Sequence, residues 1–224
     1  MNAKMYTIGI LSDTHGLLRE EVLAALNGCD AILHGGDINR QEILDRLEEI
    51  APVYVVRGNN DKDWAEHLPV FLDINLFGLA IYMTHKKKDL PKDLSRYGLV
   101  VYGHSHRYDQ KTAGDTLFLN PGSCGPRRFN QEITLALVTI RDDGHILELR
   151  RIDIPHAKPA PALSPEHDLK QDIKQVMQAV DKGKSVPEIA EELRMNPELV
   201  EQICRLYLTH PGVDADGIMA KMGL

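Results

Sequence analysis

Apolar and polar positions fall into repeating blocks over the first part of the chain. Tyr6 to Leu11, Ala31 to Leu33 and Val53 to Val56 are short apolar runs, the pattern of strands buried on both faces. Between them, Arg19 to Leu26 sets Val22, Leu23 and Leu26 on one side of a 3.6-residue period. Gln41 to Ile50 does the same with Ile43, Leu44, Leu47 and Ile50. The pattern predicts successive strand-helix units. Each strand stops at glycine mixed with polar residues: Ser12-Asp13-Thr14-His15-Gly16, then His34-Gly35-Gly36-Asp37, then Arg57-Gly58-Asn59-Asn60-Asp61.

After Leu68 the pattern changes. Val70 to Leu76 and Leu79 to Thr84 predict two strands joined by a tight turn at Phe77-Gly78, the second ending at His85. Leu90 to Tyr97 reads as a helix. Leu99 to Tyr102 reads as a buried strand that stops at Gly103-His104-Ser105-His106. Turn signals at Ala113-Gly114-Asp115 and Asp142-Asp143-Gly144 then punctuate a meander. Strand-helix units followed by a meander predict an α/β fold with two sheets face to face and helices outside, a four-layer α/β/β/α sandwich. Pro155, Pro159, Pro161 and Pro165 mark a semi-rigid linker, and beyond it the pattern is helical throughout. The expected division is a domain over 1–154, a linker over 155–165 and a small all-α unit over 166–224.

That last unit has several helix starts: Ser164-Pro165, a capping box of Ser185 with Glu188, and Asn196-Pro197. Pro187 to Leu193 and Pro197 to Thr209, with a turn at Arg194-Met195-Asn196, have the outline of a helix-turn-helix. Its second helix opens with Glu198 and Glu201 and offers mainly Arg205, and residues 161–224 hold seven basic against eleven acidic side chains. Such a surface repels phosphate, so the unit reads as one for packing or for homo-oligomer contacts rather than for DNA.

Composition narrows the picture. The 224 residues carry a formal charge of -7, which argues against chain-wide affinity for nucleic acid or anionic membrane. The first apolar run is short and meets Asp13, unlike a signal peptide or membrane span, so a cytoplasmic protein is expected. Cys29, Cys124 and Cys204 are dispersed and odd in number, which suggests neither a disulfide framework nor a cysteine metal site.

The strand ends, counted together, supply Asp13, His15, Asp37, Asn59, His85, His104 and His106. Taken singly, each has an ordinary reading as a turn residue, a cap or an interior histidine. Together they form a donor set of imidazoles, carboxylates and one amide carbonyl without thiolate, suited to two divalent ions, with Mn the first choice and Fe, Zn, Ni or Mg as alternatives. Asp37 is the natural bridge, because two preceding glycines let its backbone approach closely. His34, Asp61 and Ser123 are candidates to orient ligands. Arg127, Arg128 and Lys87 are candidates to meet an anionic substrate.

The ordered motifs Asp-x-His, Gly-Asp, Gly-Asn-x-Asp, a single His and Gly-His-x-His resemble the calcineurin-like metallophosphoesterase superfamily. The Asn120-Pro121-Gly122-Ser123 loop is similar to that of its small bacterial and archaeal phosphodiesterase branch, which also includes the retromer scaffold subunit. The resemblance covers about residues 6–154. It implies that Asp13, His15, Asp37 and His106 hold one metal and that Asp37, Asn59, His85 and His104 hold the other. It further implies hydrolysis of a phosphoester by a metal-bridging hydroxide attacking phosphorus in line.

Two departures shape the expected substrate. Phosphatases of the superfamily carry Gly-Asn-His followed by an acid, with the His protonating the leaving group. Here Asn60 stands in that place, next to Asp61. Where the branch usually continues Gly-His after the single His, this chain has Lys86-Lys87-Lys88. The expectation is a metal-dependent phosphodiesterase of a small phosphoester or nucleotide. The alternatives are a phosphomonoesterase and a non-catalytic metal-binding scaffold.

Overall fold

A computed structural model describes residues 4–126, 131–155, 169–195, 197–210 and 212–222. Arg127, Arg128, the caps expected at Ser164-Pro165 and Asn196, and most of the expected linker lie outside the described residues. The chain divides into two compact units, one running through Pro155 and one holding the C-terminal helices.

In the first unit, β1 (Met5–Leu11), α1 (Glu20–Leu26), β2 (Ala31–His34), α2 (Gln41–Glu48) and β3 (Val53–Val55) follow the predicted alternation. The two strands expected after Leu68 are β4 (Phe71–Leu76) and β5 (Leu79–Thr84), and the strand before Gly103 is β6 (Leu99–Val101). Where a meander is expected, the chain forms two antiparallel hairpins that join different sheets, β7 (Tyr108–Ala113) with β8 (Thr116–Pro121) and β9 (Thr134–Arg141) with β10 (Ile146–Asp153), because after β8 the chain crosses to pair β9 with β1. Two five-stranded sheets result, ordered β10-β9-β1-β2-β3 and β4-β5-β6-β8-β7. One core cluster joins both sheets, with Ile8, Ile10, Leu33 and Val138 from the first and Ile81, Met83, Leu99 and Val101 from the second. Another packs Val22 and Leu26 of α1 and Ile43, Leu44 and Leu47 of α2 against Leu11, Ile32 and Leu135. Burial of these side chains, about 1.5–3 kcal/mol each before entropy, is the main force holding the layers together. The architecture is the expected α/β two-sheet sandwich.

The segment expected as a helix, Leu90 to Tyr97, is irregular. Its apolar spacing is real, since Leu94 and Tyr97 pack on Tyr82 and Val100 over the outer face of the second sheet. Helix formation fails for local reasons. Pro91 disfavours helical backbone at Leu90, and Asp93 accepts hydrogen bonds from the backbone N–H and the hydroxyl of Ser95 at 3.0 and 2.7 Å, a turn that competes with helix. Short 3₁₀ turns at Asp63–Ala65 and Lys87–Asp89 complete the unit.

The C-terminal unit contains α3 (Leu169–Asp181), α4 (Val186–Leu193), α5 (Pro197–Thr209) and α6 (Ala215–Met222) around Ile173, Val176, Ile189, Val200, Ile203 and Ile218. The capping box is present in function: Glu188 accepts from the Ser185 backbone N–H at 2.8 Å and from its hydroxyl at 2.6 Å. Arg194 ends α4 with φ of 51°, a left-handed cap usually given to glycine.

Candidate metal centre

Strand register is what gathers the site. Leu11, His34 and Val55 stand side by side in the parallel strands β1, β2 and β3. Met83, Val101 and Leu119 do so in β5, β6 and β8. The loops that leave these carboxyl ends therefore begin at one edge of each sheet, the usual place for function in α/β folds.

Two groups of potential ligands meet there. Asp13, His15 and His106 form one, and Asp37, His85 and His104 the other, each with donor atoms within 4.8 Å of one another. His106 Nε2 lies 3.2 Å from both Asp13 Oδ1 and His15 Nε2. Asp37 Oδ2 lies 3.5 Å from His85 Nε2 and 3.8 Å from His15 Nε2, so one carboxylate oxygen faces histidines of both groups. Five of these residues, Asp13, His15, Asp37, His104 and His106, have φ between 46° and 71°. Left-handed backbone costs about 1–3 kcal/mol per non-glycine residue, and such strain gathers where side chains must be aimed.

The loops hold this conformation through close backbone packing. Asp13 N–H donates to Gly36 O at 2.9 Å, and His15 N–H to Asp37 O at 2.9 Å. Gly36 has φ of 93°, and a Cβ there would stand 2.8 Å from Gly58 N and 2.9 Å from His85 Nδ1. The expected close approach before Asp37 is therefore real.

Three of the candidate ligands, Asp13, His85 and His104, are positioned by neighbours behind them. Ser12 Oγ and the His104 N–H donate to Asp13 Oδ2 at 2.6 and 3.0 Å, while Asp13 Oδ1 has no hydrogen-bond partner among the described residues. His85 Nδ1 donates to Gly35 O at 2.8 Å, which turns Nε2, likewise without a hydrogen-bond partner among those residues, toward Asp37. Asn120 Nδ2 donates to Gly103 O at 2.8 Å and fixes the loop of His104. The Ser123 hydroxyl donates to Asp13 O at 2.9 Å. A buried carboxylate oxygen and a buried imidazole nitrogen left open, in a thiolate-free donor set, fit a divalent cation better than an empty polar cleft.

Electrostatics follow the same geometry. Burial raises the Asp13 carboxyl, but His106 and Ser12 outweigh it and hold it below the usual carboxylate range. Burial opposes ionisation of Asp37 as well, yet His85 and the Asn60 N–H hold it far below that range. His85 is lowered by burial and raised more by Asp37, ending above the usual imidazole value. His104 is lowered by burial, then by the charges of His85 and half-buried Lys86.

The remaining expected residues fall out differently. Asn59 is exposed in the loop after Gly58. Asn60 bonds to Asp37, its backbone N–H at 2.8 Å to Oδ1 and its carboxamide at 2.7 Å to Oδ2. Asp61 lies beneath, accepting from the backbone N–H groups of Asp37, Ile38, Asn39 and Gly58 at 2.7–2.8 Å. A carboxylate whose two oxygens are taken by four N–H donors ties the loops together and faces away from a leaving group. Lys87 lies 3.3 Å from Asp109 and 4.9 Å from the centre of the Tyr102 ring, tying the segment after His85 to β7. Ser12 and Asn120 add to the orienting residues expected from the sequence. A hydroxyl between an apolar strand and an aspartate was the signal for Ser12.

His34 is fully buried, and that burial pushes its imidazole down to about 4. Its Nδ1 accepts from the Gly36 N–H at 3.1 Å, so Nε2 carries the proton and donates to Thr14 Oγ1 at 3.1 Å. A histidine that is harder to protonate folded than unfolded lowers stability as pH falls from about 6.5 to about 4. Against His34→Gln, which does not titrate, the wild type is expected to lose up to about 3 kcal/mol across that window. Urea unfolding at pH 7, 5.5 and 4.5 checks this, and parallel curves would show that His34 is protonated in the fold.

The fold and the site define a metal-binding hydrolase of phosphoesters. The chain belongs to the calcineurin-like phosphoesterase superfamily, whose domain matches residues 6–143. Members of this family use divalent metals. The chain is 28% identical over 155 residues to a probable metallophosphoesterase of Methanothermobacter thermautotrophicus, covering 63% of this chain and 88% of that protein. It is 26% identical over 138 residues to a phosphodiesterase of Methanocaldococcus jannaschii, covering 52% of this chain and 83% of that one. Among solved structures, a novel archaeal phosphodiesterase superposes with a TM-score of 0.53 at 23% identity, covering 66% of this chain and 99% of its own. Vps29 of Entamoeba histolytica complexed with Zn2+ gives 0.51 at 24% identity, with 66% and 99% covered. Both likenesses concern the fold.

Proposed function

We propose that the protein is a phosphodiesterase that works with two divalent ions, with Asp37 between them. The observation that carries this reading is the meeting of two ligand groups across Asp37 Oδ2. In it, Asp13, His15, Asp37 and His106 hold one ion, and Asp37, Asn59, His85 and His104 hold the other. Bound there, two such ions supply an activated water and neutralise charge on the phosphoryl oxygens.

The chain's own residues set the geometry of that chemistry. Ser12 and the His104 N–H take one oxygen of Asp13 and aim the other into the site. Gly35 O fixes the tautomer of His85, so that a lone pair faces inward. Asn59, as an amide carbonyl, adds a ligand without adding negative charge, which leaves the site more positive toward a phosphate. Lys86 adds positive charge on the side of His104. Asn60 has no titratable proton, and Asp61 is committed to the backbone, so this loop offers no general acid. Diesters whose leaving group departs readily as an anion suit such a site better than alkyl monoesters.

The test is full-length protein reconstituted with Mn2+ and assayed on an aryl phosphodiester beside the matching monoester. Metal-dependent turnover of the diester is expected, and absence of turnover on both would overturn the reading in favour of a metal-binding scaffold. Asn60→His is expected to raise the monoester-to-diester ratio of kcat/KM by about tenfold or more, by restoring an acid near the leaving group. An unchanged ratio would show that selectivity is set elsewhere.

A further inference from the structure

The two carboxylates of the ligand groups are held in different ways. Asp13 Oδ2 accepts from Ser12 and from the His104 N–H, while its Oδ1 has no hydrogen-bond partner among the described residues and faces His106 Nε2 at 3.2 Å. Asp37 accepts from Asn60 at both oxygens, at Oδ1 from the backbone N–H and at Oδ2 from the carboxamide. Oδ2 is also the oxygen that faces His15 and His85. A carboxylate oxygen has two lone-pair sites in its plane. Were both ions to take Oδ2, none would remain for an amide, so the Asn60 carboxamide and a second ion would exclude each other there. The bond from the Asn60 backbone to Oδ1 raises no such conflict. Since the Asn60 residue is exposed, its side chain has room to turn away while the loop stays in place.

We infer that the Asn60 carboxamide is a displaceable cap on Asp37 Oδ2 that makes the two metal positions unequal. The first ion goes to the group of Asp13, His15 and His106, where no amide competes for the Asp13 oxygen that faces His106. The second goes to Asp37, His85 and His104 only as the cap lets go. Asn60 thus acts through Asp37 as a positioning residue, and this inference rests on the two-ion reading above.

Calorimetric titration of chelator-stripped, full-length protein with Mn2+ tests it without any assay of turnover. Wild type is expected to bind in two steps, tight then weaker. Asn60→Ala removes a hydrogen bond to a charged oxygen and is expected to tighten the second step by about tenfold while moving the first by less than about twofold. In a His104→Ala background, where the second group is broken, Asn60→Ala is expected to change nothing. Equal steps in wild type, or a second step that Asn60→Ala leaves unchanged or weakens, would overturn the cap. Failure of wild type to bind a second Mn2+ at all is a distinct result, and it would overturn the two-ion reading on which the cap depends.

Discussion

Asp37→Asn is expected to lower kcat/KM on a phosphodiester by about a thousandfold or more and to abolish binding of one of two Mn2+ ions. The magnitude is that of removing a group that organises charge in a closed site, where each such loss costs about 10²–10³ in rate. Asp37 is 1% exposed, and one of its oxygens faces both His15 and His85. Asparagine nearly preserves the shape but replaces one oxygen with an NH2. With that NH2 at the Oδ2 position, its hydrogens point at the place of a cation and at the Asn60 carboxamide. With it at the Oδ1 position, it meets the Asn60 backbone N–H, donor against donor. Neither orientation restores the site, so relaxation does not rescue the variant. Metal stoichiometry measured beside kcat/KM on the same folded sample checks the expectation. Wild-type turnover with two ions bound would remove Asp37 from the centre.

Local pattern and distant partners specify different parts of this protein. Apolar runs and 3.6-residue spacing are local, and they located β1 to β6, α1 and α2 because burial of those positions drives the fold. The candidate ligands were legible for a related reason. Histidines and aspartates placed where apolar strands stop keep their chemistry whatever the exact path of the loops; register sets His85 beside His104 in one sheet, and packing of the two sheets brings Asp37 of the other to them. What stayed hidden depends on partners distant in sequence. Lys87 reads as a surface cation until Asp109 and Tyr102 come beside it. Asn120 reads as part of a turn until Gly103 O is found against its amide. Leu90 to Tyr97 misled in the opposite sense: its spacing reported burial correctly, but Pro91 and the turn at Asp93 choose an irregular path to that burial.

Asp61 carries the largest expected effect on stability. Its Oδ2 accepts from the N–H groups of Asp37 and Gly58 at 2.8 Å, and its Oδ1 accepts from Ile38 and Asn39 at 2.7 Å. One side chain thus satisfies four buried or half-buried donors and ties the loop after β2 to the loop after β3. Asp37 sits at that junction with φ of 58°, a conformation its own backbone does not favour. Asp61→Asn puts an NH2 against two N–H groups in either orientation, leaving donors unpaired at about 1–3 kcal/mol each. Partial relaxation reduces the sum, and a loss of about 3 kcal/mol is expected. Because Gly58 packs directly on Asp37, movement of this junction also displaces the carboxylate between the two ligand groups. Binding of Mn2+ by the fraction that remains folded is therefore expected to weaken by about tenfold or more, a loss of the size seen when a partner behind a metal ligand is removed. Urea unfolding with an unchanged m value, together with Mn2+ titration below the transition, measures both effects. Reduced stability with wild-type Mn2+ affinity would show that Asp61 braces the fold without aiming Asp37, whereas unchanged stability would mean that water replaces the clamp.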